Sequence, residues 1–282
     1  MAPILGGHVR LQHLEGIMKK PVSWFVSVMA LMAGVSAASA GSLPSGWSGV
    51  GGYGTLGPDG VVTAPPAYGP NYYYVTTTGG VTGVGSLPGY AGPPGYPSQT
   101  TNGSTVTTNT FSAPSGSTLS FYFNYVTSDG SGFPDYAWAE MNGNSGSTIL
   151  FTAATTPNGN TVPGQHLPGI ATSVTLNPAT TPIISGGPTW SALGSWSGQC
   201  YAAGCGYTGW IDMSYTIPTA GNYSLEFGVT NAVDTIYDSG LAFAGATINN
   251  VPIDTPEPTS LALLGSGLVG LYLARRRRRR AS

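Results

Sequence analysis

Residues 118–127 read TLSFYFNYVT, and their alternation decides the fold class. Side chains in an extended chain change face at every residue, so Leu119, Phe121, Phe123 and Tyr125 fall on one side and Ser120, Tyr122 and Asn124 on the other. The first face suits a core, the second a surface. The same period recurs in residues 210–217 (WIDMSYTI), where Ile211, Met213, Tyr215 and Ile217 point one way and Asp212, Ser214 and Thr216 the other. It recurs again in 222–231 (NYSLEFGVTN), with Tyr223, Leu225, Phe227 and Val229 sharing a face. Between these two runs lie Pro218, Thr219, Ala220 and Gly221, and alternating runs around such a turn predict a hairpin. Weaker patterns predict strands at 61–63, 72–77, 105–111, 148–153, 173–176 and 241–248, the last with a bulge near Gly245, where its alternation breaks.

Composition agrees with this reading. The chain of 282 residues contains 43 Gly, 23 Pro and 16 Tyr, a mixture that favours strands joined by turns over helices. Residues 79–97 (GGVTGVGSLPGYAGPPGYP) read as a long Gly/Pro/Tyr loop, and no fixed-period repeat runs along the chain. The expectation is an all-β, antiparallel β-sandwich, jelly-roll-like, with long Gly/Pro-rich loops on one rim, occupying residues 41–253.

Charge is distributed very unevenly. Lys and Arg occur only at Arg10, Lys19, Lys20 and in the run from Arg275 to Arg280, so residues 41–274 hold ten carboxylates and no cationic side chain except histidine. A body without cations cannot neutralise phosphates, which excludes nucleic acids and anionic lipid surfaces as its partners.

Each end carries a topogenic pattern. Residues 18–42 (MKKPVSWFVSVMALMAGVSAASAGS) contain a basic start at Lys19 and Lys20, an apolar stretch, and the small-residue motif Ala38-Ser39-Ala40. This predicts a signal peptide at 18–40, cleaved before Gly41. Residues 1–17 resemble neither signal nor fold, and are expected to be an extension upstream of a true start at Met18. At the other end, Pro256, Glu257 and Pro258 precede an apolar run at 259–274, then Arg275, Arg276, Arg277, Arg278, Arg279 and Arg280. As a helix that run would span about 24 Å against roughly 30 Å of hydrocarbon, a short single transmembrane helix. The arginines would stay cytoplasmic and leave the body outside.

The order Pro-Glu-Pro, apolar run, arginine cluster resembles the PEP-CTERM sorting signal of Gram-negative bacteria, here residues 254–282, with Thr255 where the family often has Val. The resemblance implies recognition by exosortase, a cut near the Pro-Glu-Pro, and release of an inner-membrane-tethered precursor to the outer surface or extracellular matrix. It also implies association with exopolysaccharide and biofilm. The alternative is an ordinary C-terminal anchor that stays in place. The stretches 125–140, 205–211 and 225–243 are similar to a domain recurring in such exported proteins.

Four sets of residues could carry chemistry. Cys200 and Cys205, the only cysteines, lie in CYAAGC, and an oxidising compartment predicts a disulfide there, with Gly204 helping the loop to close. Asp129, Asp135, Asp234 and Asp238 fall in two loops after strong strands. With no Lys or Arg to pair with, these carboxylates suit calcium, a hard oxygen-seeking ion, or else serve as solvated and Asx-turn residues. Asp129 or Asp135 with Glu140 could form the carboxylate pair of a polysaccharide-active enzyme, a glycoside hydrolase or lyase. Against catalysis, His166 is the sole histidine of the body and no nucleophile elbow occurs, so the expectation is a non-enzymatic protein. Lastly, Tyr72, Tyr73, Tyr74, Trp138, Trp190, Trp196, Tyr201, Tyr207 and Trp210 offer aromatic faces for sugar rings, or else core packing.

Overall fold

The computed structural model describes residues 41–87, 90 and 100–253. The extension 1–17, the signal peptide 18–40 and the sorting signal with its helix and arginines lie outside the described residues, as does most of 88–99. The first strands are β1 (Ser48–Val50), β2 (Gly52–Leu56), β3 (Tyr72–Thr76), β4 (Val81–Thr82), β5 (Thr100–Thr107) and β6 (Phe111–Ala113). Next come β7 (Thr118–Thr127), β8 (Tyr136–Gly143), β9 (Gly146–Ala154), β10 (Asn160–Val162), β11 (Val174–Asn177), β12 (Thr181–Pro182) and β13 (Ile184–Ser185). After a 3-10 segment at Ser191–Trp196 follow β14 (Gly206–Tyr207), β15 (Ile211–Thr216), β16 (Gly221–Ala232), β17 (Ser239–Ile248) and β18 (Val251–Pro252).

Two antiparallel sheets face each other, one in the order β11-β15-β7-β17-β3-β2, the other β1-β5-β16-β8-β9. From β5 onward the chain crosses between them repeatedly, from β5 to β7, β7 to β8, β9 to β11, β15 to β16 and β16 to β17, a jelly-roll-like path. The alternation of β7 is realised: Leu119, Phe121, Phe123 and Tyr125 are buried between the sheets. Phe123 of β7 stacks on Phe151 of β9 at 3.7 Å and 6°, and Phe227 of β16 on Phe243 of β17 at 3.9 Å and 10°. Each stack joins one sheet to the other. The bulge also appears, as a register shift between Ala244 and Thr247. It moves the core-facing positions from Leu241 and Phe243 to Ala246 and Ile248, which keeps the apolar face inward.

The predicted hairpin does not form. β15 pairs with β7 and β11, whereas β16 pairs with β5, β6 and β8 in the opposite sheet. The turn at 217–220 is an arch over the edge of the core. Both runs keep the faces that alternation assigned to them, but alternation fixes a face and not a partner, and the edges of β15 are already taken. Residues 61–63 form only an isolated bridge between Asp59 and Val62, and the 105–111 run is divided between β5 and β6.

Strand β8 gave no periodic signal because both its faces are covered. Ala137, Ala139 and Met141 enter the main core, while Tyr136 and Trp138 enter a small second one with Leu87 and Ala154. A third cluster covers the outer face of β3 and β17, where Tyr72, Tyr74, Ala242 and Ala244 meet Trp190 and Leu193. Glycine admits both tryptophans: a Cβ on Gly228 would lie 2.5 Å from Trp138, and one on Gly240 would lie 2.5 Å from Trp190.

Candidate functional site

Three loops converge at one end of the sandwich, because Thr127 at the end of β7 is in register with both Gly206 of β14 and Ser239 of β17. They are residues 128–135, 196–205 and 233–238. Beneath them is a buried polar network. Asp135 accepts from the Ala232 N–H at 2.8 Å and from the Ser239 hydroxyl at 2.7 Å, and its backbone oxygen accepts from Thr155 N–H at 2.7 Å and Tyr125 O–H at 3.0 Å. Asp238 accepts from the hydroxyls of Thr77 at 2.8 Å and Thr78 at 2.6 Å. Asp234 accepts from the Ile236 N–H at 3.0 Å, an Asx-turn. Asp129 accepts from the Gly130 N–H at 2.7 Å through Oδ1, while its Oδ2 is buried without a hydrogen-bond partner.

With no Lys or Arg in the body, burial raises Asp129 and Asp135, and only hydrogen bonds oppose it. Loss of solvation pushes Asp129 up to about 8, eased by the Gly130 N–H and reinforced by the charge of Asp234. Asp135 is held well above the usual carboxylate range, first by burial and then by the charge of Asp129.

The expected four-aspartate calcium site is not assembled. Both oxygens of Asp135 and of Asp238 are engaged by protein donors, and Asp234 closes its own turn. Among the described residues, no three His, Cys, Asp or Glu side chains are placed to hold a metal.

The pairing of Asp135 with Glu140 also fails. Glu140 lies five residues along β8 from Asp135, roughly 16 Å at strand rise, beyond the ~5–9.5 Å of glycosidase carboxyl pairs. Glu140 instead faces Glu226 across β8 and β16. Burial raises Glu226 above its ordinary value, with Glu140's charge adding to this and the Thr107 hydroxyl opposing it. His166 is an exposed loop residue that lines a cleft of about 270 Å³ with Phe133, Asn158 and Gln165.

The cysteines form the expected disulfide, with Cα atoms 5.5 Å apart and Gly204 at φ 109° inside the loop. The staple holds Tyr201, whose N–H donates to Ser128 O at 3.0 Å, while Ser131 N–H donates to Ala203 O at 2.8 Å. Four aromatic rings pack successively against one another here. Trp196 lies 4.4 Å from Tyr237, Tyr237 5.1 Å from Tyr201, and Tyr201 5.3 Å from Phe133. Tyr201 is 49% exposed, and the other three are half-buried. Tyr237 takes φ 58°, a conformation uncommon outside glycine.

Of the aromatics singled out in the sequence, Trp196 and Tyr201 belong to this cluster, and Trp196 also packs against the outer core cluster. Tyr72, Tyr74, Trp138 and Trp190 are core, Tyr73 packs against the main core, and Tyr207 and Trp210 pack against the outer cluster. Phe133 and Tyr237 were missed, although each sits inside one of the two acidic loops already noted.

Residues 254–279 match the PEP-CTERM protein-sorting motif. The chain therefore carries the mark of an exported, cell-surface protein processed by exosortase. No curated protein matches the chain. Among solved structures it is similar to the K2 cleaved adhesin domain of Lys-gingipain, at 12% identity and TM-score 0.31, over 74% of this chain and 94% of that one. It is also similar to a structure described as "CBM4 structure and function", at 11% identity and TM-score 0.27, over 70% and 93%.

Proposed function

We propose that the mature body is a non-enzymatic component of the cell surface or extracellular matrix that associates with the producer's exopolysaccharide. The observation that carries this reading is the sorting motif at 254–279 on a body that presents exposed aromatic rings and no cationic side chains other than histidine. The signal peptide ends at Ala40, exosortase removes the tail near Pro256, Glu257 and Pro258, and the biofilm matrix is the destination. Intact mass of the extracellular species tests the processing. The expected form begins at Gly41 and lacks Arg275 to Arg280, whereas recovery of the arginines overturns tail removal.

A second reading, a polysaccharide-active enzyme, is favoured by one observation, the facing carboxylates of Glu140 and Glu226. Incubating the exported protein with the producer's exopolysaccharide separates the two. Matrix association predicts co-sedimentation with no new reducing ends or unsaturated sugars. Turnover that Glu140→Gln abolishes, with folding intact, would establish the enzyme instead.

A further inference from the structure

We propose that the outer face of β15 and β7, where Asp212 and Tyr122 stand side by side and Tyr68 ends the row, binds a polysaccharide that carries free amino groups. This deepens the matrix reading above and rests on it. Three observations meet at this place.

The first is a row of side chains set by register. Asn177 of β11 lies opposite Asp212 of β15, Asp212 opposite Tyr122 of β7, and Tyr122 opposite Ala244 of β17. Residues paired in this way share a face, and the inward neighbours Leu176, Ile211, Met213, Phe121 and Phe123 put this row outside. Three strand intervals give it a length of about 14 Å. After Ala244 the bulge leaves Gly245 outside as well, because the next inward residue is Ala246. Gly245 has φ 67°, and a Cβ there would lie 2.2 Å from the Tyr68 ring, so the missing side chain is the seat of that ring. Tyr68 is 48% exposed. It also borders a cleft of about 550 Å³ whose lining includes Thr55 and Asn71 and no charged side chain.

The second is that the fold does not use these groups. Among the described residues neither Tyr68 nor Tyr122 packs on another ring, and neither hydroxyl has a hydrogen-bond partner. The Asp212 carboxylate accepts no hydrogen bond either, although the residue is half-buried, and burial raises it above its ordinary value. Tyr122 is raised too, first by burial and then by the charge of Asp212 and by Tyr68, which puts the three within electrostatic reach of one another.

The third is charge. A carboxylate only accepts, so Asp212 calls for a group that brings N–H or O–H donors. Residues 41–274 contain no Lys or Arg to do this, and the one histidine of the body, His166, lines a different cleft. An ammonium brings three donors and the opposite charge, and the face of a tyrosine ring attracts it as well. On an amino sugar it lies beside the apolar C–H face that packs on Tyr122 and Tyr68. A neutral chain would offer donors without charge, and a uronate chain would meet repulsion at Asp212.

The test measures binding of the exported, processed protein to immobilised polymers at fixed ionic strength. Glycol chitosan supplies free amines, its N-acetylated form, glycol chitin, the same chain without the charge, and alginate an acidic chain. Glycol chitosan should bind, glycol chitin should bind on the order of tenfold more weakly, and alginate should not bind. Asp212→Asn should weaken binding of glycol chitosan by on the order of tenfold, and Tyr68→Ala and Tyr122→Ala should each weaken it several-fold. Tyr122→Phe keeps the ring and should keep the binding, which separates a stacking face from a hydroxyl contact. Asp234→Asn removes the same charge in the loop before β17 and keeps an acceptor for the Ile236 N–H, so it should leave binding unchanged. Melting curves confirm that each variant folds.

Binding that Asp212→Asn weakens no more than Asp234→Asn does is attraction to the charge of the whole body, and it overturns the site. Glycol chitin bound as tightly as glycol chitosan overturns the choice of an amine. Failure to bind glycol chitosan overturns the inference altogether. Co-sedimentation with the native exopolysaccharide would then leave the matrix reading standing, and its absence would overturn both.

Discussion

The interior between the two sheets and the loop end above it both exclude water, but they are held together by different forces. The interior is carbon on carbon: Phe121, Phe123, Phe151, Phe227 and Phe243 interlock across the sheets, and none has a polar atom to satisfy. The loop end is held by directional bonds, in which Thr77, Thr127, Asp135, Thr155, Asp238 and Ser239 exchange hydrogen bonds over separations of up to 162 residues. The interior resists through the sum of many interchangeable contacts, the loop end through a few specific ones. The aromatic cluster outside the core, with Tyr201 exposed, is therefore found where hydrogen bonds and a disulfide help to fix the chain.

The largest effect should come from the interior. Phe227 stacks on Phe243 and meets Phe121 edge-on at 5.1 Å, so Phe227→Ala leaves a cavity that two sheets cannot close. A loss of about 3–5 kcal/mol is expected, which lowers the melting temperature by roughly 6–20 °C for a domain of this size. Tyr201→Ala, on the exposed loop, should stay within about 0.5 kcal/mol of the parent. Equal losses in the two variants would break the distinction between the regions.

That distinction also decides what could be read from the sequence. The inward faces of β7, β15 and β16 were legible because one face of each is core and the other is not. Their partners were not legible, and the turn after β15 accordingly became an arch instead of a hairpin. Strand β8 was hidden because Trp138 and Met141 are buried on opposite faces. At the loop end the disulfide was legible, since two cysteines five residues apart in an exported chain have few other fates. The fate of the aspartates was not, because their partners Thr77, Ala232 and Ser239 lie on or directly after other strands. Nor could the sequence show that the 3-10 segment folds back over β3 and β17, which turns Tyr72, Tyr74 and Trp190 from candidate sugar platforms into core.

The disulfide sharpens the comparison on an intermediate scale. Replacing Cys200 and Cys205 together by Ser releases a six-residue loop, and constraint of the unfolded chain by so small a ring is worth about 2 kcal/mol. The expected fall in melting temperature is roughly 4–8 °C. Because the staple acts on the ring-bearing loop, proteolysis should begin between residues 196 and 205 in the variant while the sheets remain protected. Cleavage that starts in the sheets would show that the loop end and the interior unfold as one unit.

The smallest effect, and the most specific to the loop end, concerns Asp129. The residue is 1% exposed, and its carboxyl has an oxygen without a partner and is pushed up to about 8. The unfolded chain returns it to the ordinary carboxylate range. Between these two values the native state holds the extra proton, so stability falls as pH rises. The contribution is fully present below the unfolded value and is lost as pH climbs through about 8. Asp135, also raised, adds to the same slope, and ionised Asp129 raises it further. Asp129→Asn retains an acceptor for the Gly130 N–H but cannot ionise, so it removes one share of the slope and weakens the other. The absolute stability of the variant also reflects how its new amide is accommodated, and the slope is the cleaner readout. Melting curves from pH 5 to pH 9 should fall less steeply for Asp129→Asn than for the parent. Relative to its own value at pH 5, the variant should gain roughly 2–4 °C over the parent at pH 9, the shift that about 1 kcal/mol produces in a domain of this size. Phe227→Ala, which touches no titrating group, should displace the whole curve with its slope unchanged. Parallel curves for the parent and Asp129→Asn would mean that the buried carboxylates are solvated in the native protein, and that the loop end is not held by a closed polar network.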